Sequence, residues 1–211
     1  MGIIRLRMVF NIVSTLLFIF IGGCVSVQPK PSVHYGSVAP GSVVSRGDKK
    51  IPLFGTPVSV GKALPSVNLV DAMTMENVDL RLEKGKVLFL SIVPSLDTPV
   101  CEAQTHYLAE EGDKLPKDVQ RITISRDTPF AQKRFAEEAK LMDIQYLSDY
   151  KRGAFGRSTG LLMDGLEILA RSVILVDKSG LIRYIQVVPE ITNMPDMERA
   201  FQEAINLVKE Y

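Results

Sequence analysis

The chain has 211 residues, 46% hydrophobic and 23% charged, the balance of a globular protein with room for one substantial core but not for two full domains. Its 25 basic and 24 acidic residues leave a formal charge of +1 and are interspersed along the chain, which excludes an electrostatic case for a nucleic-acid partner. Two cysteines and two histidines offer no spacing typical of a metal site.

Residues 1–23 differ from all that follows. Arg5 and Arg7 precede a mostly apolar stretch from Val9 to Ile21, the layout of a signal peptide. Those 13 residues, interrupted by Asn11, Ser14 and Thr15, fall short of the roughly 20 needed to cross a bilayer. The segment ends in Ile21-Gly22-Gly23-Cys24, which resembles the bacterial lipoprotein signal: an aliphatic residue three before the cysteine, and small residues directly before it. That resemblance implies cleavage before Cys24 and a lipid thioether on its sulfur. The mature protein would then have a net charge of −1. It would sit in the bacterial cell envelope, held to the membrane by acyl chains and facing the periplasm or the exterior. An ordinary cleaved signal with a chance cysteine is the competing reading.

Residues 24–50 are rich in Pro, Ser, Gly and Val. With Pro29, Pro31, Gly36, Pro40, Gly41 and Gly47 breaking any periodicity, they read as a flexible tether with a solvated His34. The folded domain is expected over 51–211, opening with a short hairpin in which Leu53, Val58 and Val60 flank Gly55 and Pro57. Lys86 to Val93 is an almost unbroken apolar run stopped by Pro94, the pattern of a strand buried on both faces. Further strands are expected at Gln120–Ser125 and Ser172–Asp177, the latter turning at Lys178-Ser179-Gly180 into Leu181–Val188. Helical patterns run from Pro99 to about Glu111, Pro129 to about Leu141 and Asp196 to about Glu210. The order β, α, β, α, β, β, α predicts an α/β fold of the thioredoxin-like arrangement, a central mixed sheet flanked by helices. A reactive group is then expected where the first central strand hands over to its helix.

That handover reads Pro94-Ser95-Leu96-Asp97-Thr98-Pro99-Val100-Cys101. Thr98 suits an N-cap and Pro99 the first helical position, which puts Cys101 in the first turn. There the unpaired N–H groups and the positive end of the helix dipole favour a thiolate, the nucleophilic form of the side chain. Spacing alone leaves open a buried cysteine that only fills space.

Pro94, Thr98 and Cys101 match P-x-x-x-T-x-x-C after a buried strand, which resembles the peroxiredoxin active-site motif. The string PSLDTPVC is similar to the thiol peroxidase branch, as are DTPFAQKRF from Asp127 and LARSVILVD from Leu169. The resemblance extends from about Leu53 to Val208. It implies that Cys101 is the peroxidatic cysteine, that Thr98 orients the peroxide and that Pro94 screens the sulfur. Arg171 would stabilise the thiolate and the leaving oxygen. It also implies a homodimer, no cofactor, and a preference for organic hydroperoxides. The residues themselves admit plainer roles: Thr98 as a helix cap, Pro94 as a strand terminator, Arg171 as a surface residue in an ion pair.

At one place the sequence departs from the family. Many thiol peroxidases carry a resolving cysteine after the phenylalanine of the second block, and here Phe135 is followed by Ala136. With Cys24 consumed by lipid, a one-cysteine cycle is implied. Its reductant would be an external thiol, whether of a small molecule, a thioredoxin-like partner protein or a neighbouring chain. The alternative is an envelope lipoprotein that kept the fold, lost turnover, and senses oxidants or binds a partner. A dithiol oxidoreductase would need C-x-x-C where Thr98-Pro99-Val100-Cys101 stands. A cysteine hydrolase would need a histidine on Cys101, but His106 lies some 140° around the helix, at about 100° per residue.

Overall fold

A computed structural model describes residues 31–211. The expected signal and Cys24 lie outside the described residues. Twelve strands and four α-helices follow in order: β1 Val33–His34, β2 Val43–Arg46, β3 Lys49–Phe54, β4 Asn68–Asp71, β5 Asn77–Asp79, β6 Val87–Ile92, α1 Pro99–Glu110, β7 Val119–Ser125, α2 Pro129–Ala139, β8 Gln145–Ser148, α3 Ala154–Thr159, β9 Leu162–Met163, β10 Ser172–Val176, β11 Ile182–Val187, β12 Met194–Pro195 and α4 Met197–Lys209.

The central sheet has seven strands in the order β11-β10-β6-β7-β8-β4-β5. β6, β7 and β8 run parallel, joined by α1 and α2, while β10, β11, β4 and β5 are paired antiparallel. This is the mixed sheet that the β-α-β-α-β-β-α pattern predicts. Every residue of β6 is buried because both faces of the sheet are covered. Val87 and Phe89 face the side of α1, α2 and α4, where Phe89 meets Phe201 edge-on at 5.4 Å. Leu88, Leu90 and Ile92 face the opposite side and share a core with Ile51, Leu53 and Phe155. Helices therefore flank both faces, with the short α3 and the β2–β3 hairpin completing the second layer. At the β10–β11 turn, Asp177 accepts hydrogen bonds from the Ser179 and Leu181 N–H groups and the Ser179 hydroxyl.

The expected tether is corrected from residue 33 onward. Val33 and His34 pair in parallel with Met194 and Pro195, and β2 and β3 form an antiparallel hairpin. Val44 is 1% exposed inside the core shared with Ile51. Ser45 exchanges backbone bonds with the segment after β11, donating to Pro189 O (2.7 Å) and accepting from Ile191 N (2.9 Å). Composition misled here because the glycines lie in turns between short strands: Gly47, with φ 58, makes the β2–β3 turn.

The expected hairpin around Gly55 and Pro57 is also replaced. Gly55, with φ 118, ends β3 where a Cβ would lie 2.2 Å from the Arg157 carbonyl oxygen, so the chain passes close over α3 without turning back. Residues 61–64 then run along the chain at the start of β11, Gly61 N donating to Ile182 O and Leu64 N to Gly180 O.

Val44→Ala is expected to lower the unfolding free energy by about 2 kcal/mol, two buried methyl groups at about 0.8 kcal/mol each plus the cavity left behind. Urea unfolding measures this. A shift below about 0.5 kcal/mol, the size seen at exposed sites, would return the segment to a tether.

Candidate active site

The site is built where β6 gives way to α1. Val93 N still bonds Ile124 O (2.9 Å), but Pro94 has no N–H to continue the ladder, and the chain leaves the sheet. Pro94 is buried in that bend. Among the described residues no hydrogen bond links it to the cysteine. Thr98 follows in extended conformation (φ −130, ψ 142) as the N-cap residue, with Pro99 opening α1. Thr98 occupies the expected N-cap position, yet its hydroxyl makes no capping bond. It lies instead 3.0 Å from Cys101 Sγ and 3.1 Å from the Ser95 carbonyl oxygen.

Cys101 has 0% exposure, but its surroundings are not hydrocarbon alone. Besides the Thr98 hydroxyl it meets Arg171, whose Nη2 donates to Sγ at 3.2 Å across 70 residues of sequence. The sheet order causes this meeting: β10 lies beside β6, with Ser172 opposite Ile92, so the residue entering β10 stands at the strand end from which α1 departs. Arg171 is not the surface residue of the plainer reading, being 2% exposed. Arg121, Arg126, Arg134, Arg157, Arg183 and Arg199 each pair with a carboxylate, and among the described residues Arg171 pairs with none. Its Nε donates to the Ile191 carbonyl (3.0 Å) and its Nη1 to Gln104 Oε1 (2.9 Å).

An arginine cannot shed its proton, and a buried charge without a counter-charge is costly. Of the three acceptors around Arg171 among the described residues, only the sulfur can carry a negative charge. The arrangement sets a cationic donor against Cys101 Sγ, and the Thr98 hydroxyl, with one proton to give, stands within reach of both the sulfur and the Ser95 carbonyl.

Gln104 escaped the sequence reading. It is fully buried, one turn beyond Cys101 on the same helix face, accepting from Arg171 while its Nε2 donates to Ser91 Oγ (2.8 Å). A polar residue three after a candidate nucleophile, on the face that also carries Thr105, Leu108 and Ala109, was the available signal. Asp127 escaped as well, although it opens the second matched block. Its carboxylate accepts from Leu96 N (2.8 Å) and from the hydroxyls of Ser95 (2.8 Å) and Ser125 (2.7 Å). His106 points away from the sulfur, toward Glu110 (2.7 Å).

Beside Thr98 and Pro99 a pocket of about 410 Å³ opens between Glu102 of α1 and Phe135, Glu138 and Ala139 of α2. Ala136 is buried in the core behind it, and Cys101 is the one free cysteine among the described residues. Among those residues no three His, Cys, Asp or Glu side chains stand together as a metal-binding group.

The sequence matches the Redoxin family model over residues 59–201. It is 38% identical over 163 residues to the thiol peroxidase of Halalkalibacterium halodurans, covering 77% of this chain and 96% of that one. To the thiol peroxidase of Bacillus subtilis strain 168 it is 39% identical over 159 residues, 75% of this chain and 94% of that one. Among solved structures, a peroxiredoxin-like protein from Aquifex aeolicus superposes with a TM-score of 0.74 at 31% identity, over 82% of this chain and 99% of that one. With these matches and a buried cysteine held by threonine and arginine at the start of α1, the chain belongs to the redoxin family and is a peroxiredoxin enzyme of the thiol peroxidase kind.

Proposed function

We propose that the protein is a lipid-anchored peroxidase of the bacterial envelope that reduces hydrogen peroxide and organic hydroperoxides, lipid-derived ones included, through Cys101 in a one-cysteine cycle. The observation that carries the chemistry is the buried Arg171 guanidinium, whose one acceptor able to hold a negative charge among the described residues is Cys101 Sγ, 3.2 Å away. The thiolate attacks one peroxide oxygen. A sulfur–oxygen bond forms as the O–O bond breaks, and the departing oxygen takes a proton and leaves as water or an alcohol. Thr98 orients the peroxide by hydrogen bonding, Arg171 stabilises the charge gathering on the leaving oxygen, and Pro94 screens the sulfur from water.

Cys101 is left as a sulfenic acid. A first external thiol condenses with it, releasing water and leaving a mixed disulfide. A second attacks that disulfide, restoring the Cys101 thiol and leaving as the oxidised reductant. Ala136, standing where the resemblance places a resolving cysteine, supports this cycle over an internal disulfide. The reductant is a small thiol or a thioredoxin-like protein, and a homodimer is the assembly that the resemblance suggests. The Ile21-Gly22-Gly23-Cys24 pattern supports an anchor on Cys24, close to peroxidised lipid.

Native protein is expected to consume peroxide catalytically with dithiothreitol as reductant, and Cys101→Ser to be inactive. Equal rates would remove the assignment, and one oxidation per chain without turnover would identify a sensor instead. Arg171→Met is expected to slow sulfenic acid formation by roughly 10²-fold, the cost of losing one preorganised charge-stabilising donor. Arg171→Lys, which keeps the charge without the fork, should lose less. Quenched-flow mass spectrometry reads both, and an unchanged rate in Arg171→Met would dismiss the guanidinium. Cys24→Ser is expected to move the expressed protein from the bacterial membrane fraction to the soluble one; retention on the membrane would place the anchor elsewhere.

A further inference from the structure

The cycle just proposed, on which this inference rests, makes two opposed demands on one sulfur. Attack on peroxide needs Thr98 and Arg171 held against it. Attack by an external thiol needs that sulfur to be reached, and Cys101 has 0% exposure. Some part of the cover must move between the two half-reactions. The exposed part of the cover is the loop from Ser95 through Thr98 and Pro99, at the edge of the pocket facing α2.

Two hydrogen bonds tie that loop to the sheet, and both end on one carboxylate. Leu96 N donates to Asp127 Oδ2 and Ser95 Oγ to Oδ1, each at 2.8 Å. Asp127 is itself fixed from below, its Oδ2 accepting from Ser125 Oγ (2.7 Å) and its carbonyl from Ser148 Oγ. From Ser95 the path continues upward by proximity: its carbonyl oxygen lies 3.1 Å from Thr98 Oγ1, which stands 3.0 Å from Cys101 Sγ and has one proton to share between them. The loop's other attachments are the buried Leu96 side chain and an Asp97–Arg134 pair at 3.6 Å, too exposed on both sides to hold much.

We propose that Asp127 is a positioning residue: by tying Ser95 and Leu96 it fixes the loop that carries Thr98 beside the sulfur, and its release of that loop admits the external thiol. A carboxylate suits the task. Three donors converge on it, and an acceptor-only group with several lone pairs satisfies all three at once. Asparagine keeps most of this, since its oxygen can take Leu96 N and Ser125 Oγ while its amide donates to Ser95 Oγ. Alanine keeps none.

The test measures the two half-reactions separately on the full chain, by quenched mass spectrometry. One arm follows oxidation of reduced Cys101 by hydrogen peroxide. The other follows attack of dithiothreitol on Cys101 already oxidised to sulfenic acid. In Asp127→Ala, oxidation is expected to slow by about tenfold or more, the effect of misplacing a reacting group, while the thiol step becomes several-fold faster. Asp127→Asn should stay near the native protein in both. A merely structural role would move both rates the same way, and that result, or an unchanged oxidation rate, would overturn the proposal. Should Asp127→Ala fail to fold, Ser95→Ala removes one of the two ties from the loop side and should show the same opposed changes at smaller size; parallel changes there would overturn it equally. A native protein that does not turn over peroxide at all would instead defeat the peroxidase reading.

Discussion

The structure turns on a guanidinium that is 2% exposed and faces no carboxylate among the described residues. Six other arginines of the described residues pair with carboxylates, as in Arg121 with Asp143 and Arg183 with Asp177 and Glu210. At Arg171 two neutral oxygens orient the fork so that Nη2 donates to the sulfur. In the proposed mechanism cation and thiolate stabilise each other, since each is costly alone in a site that excludes water. The neutrality of Gln104 matters for this reason. A carboxylate in its place would compete with the sulfur for the charge, whereas the amide holds the geometry without supplying an anion.

The fold delivers this pair by register. β6 and β10 are neighbours aligned so that the exit of one lies at the entrance of the other, which brings residues 70 apart in sequence within hydrogen-bonding distance. Pro94 releases the chain from β6, and Pro99 opens the helix two residues before the cysteine. β7 contributes from the other side of β6, its end presenting Asp127 to the loop. Three strand ends thus meet at one point, as expected where parallel strands hand over to helices.

Much of this was legible in the residues. KVLFLSIV had the pattern of a doubly covered strand, and Thr98-Pro99 at a helix start placed Cys101 in its first turn. What was not legible was short or long-range. β4, β5 and β8 span four, three and four residues, less than the alternation needs to declare itself, and β1 and β2 hide between turn-forming glycines that read as a tether. Gln104 and Asp127 are ordinary polar residues until tertiary contacts give them partners. Thr98 is instructive in the same way. Its position as a cap was readable, but the direction of its hydroxyl depends on whether the nearby sulfur is anionic.

That dependence links the charge at the site to the state of the loop. In the proposed cycle oxidation converts the sulfur from an anion into a neutral sulfenic acid. Arg171 then loses the one neighbour that balanced it, and the Thr98 hydroxyl loses the acceptor that drew its proton from Ser95. The closed arrangement is weakened by its own product, by whatever free energy the anion had contributed. Asp127's two bonds to the loop are untouched by the reaction, so they come to dominate the closure that remains. A ligand or reaction can shift a conformational equilibrium only by its differential interaction with the two states, and charge loss at one sulfur supplies that difference here. With Ala136 in place of a second thiol, the opened state is the one in which an external thiol can complete the cycle.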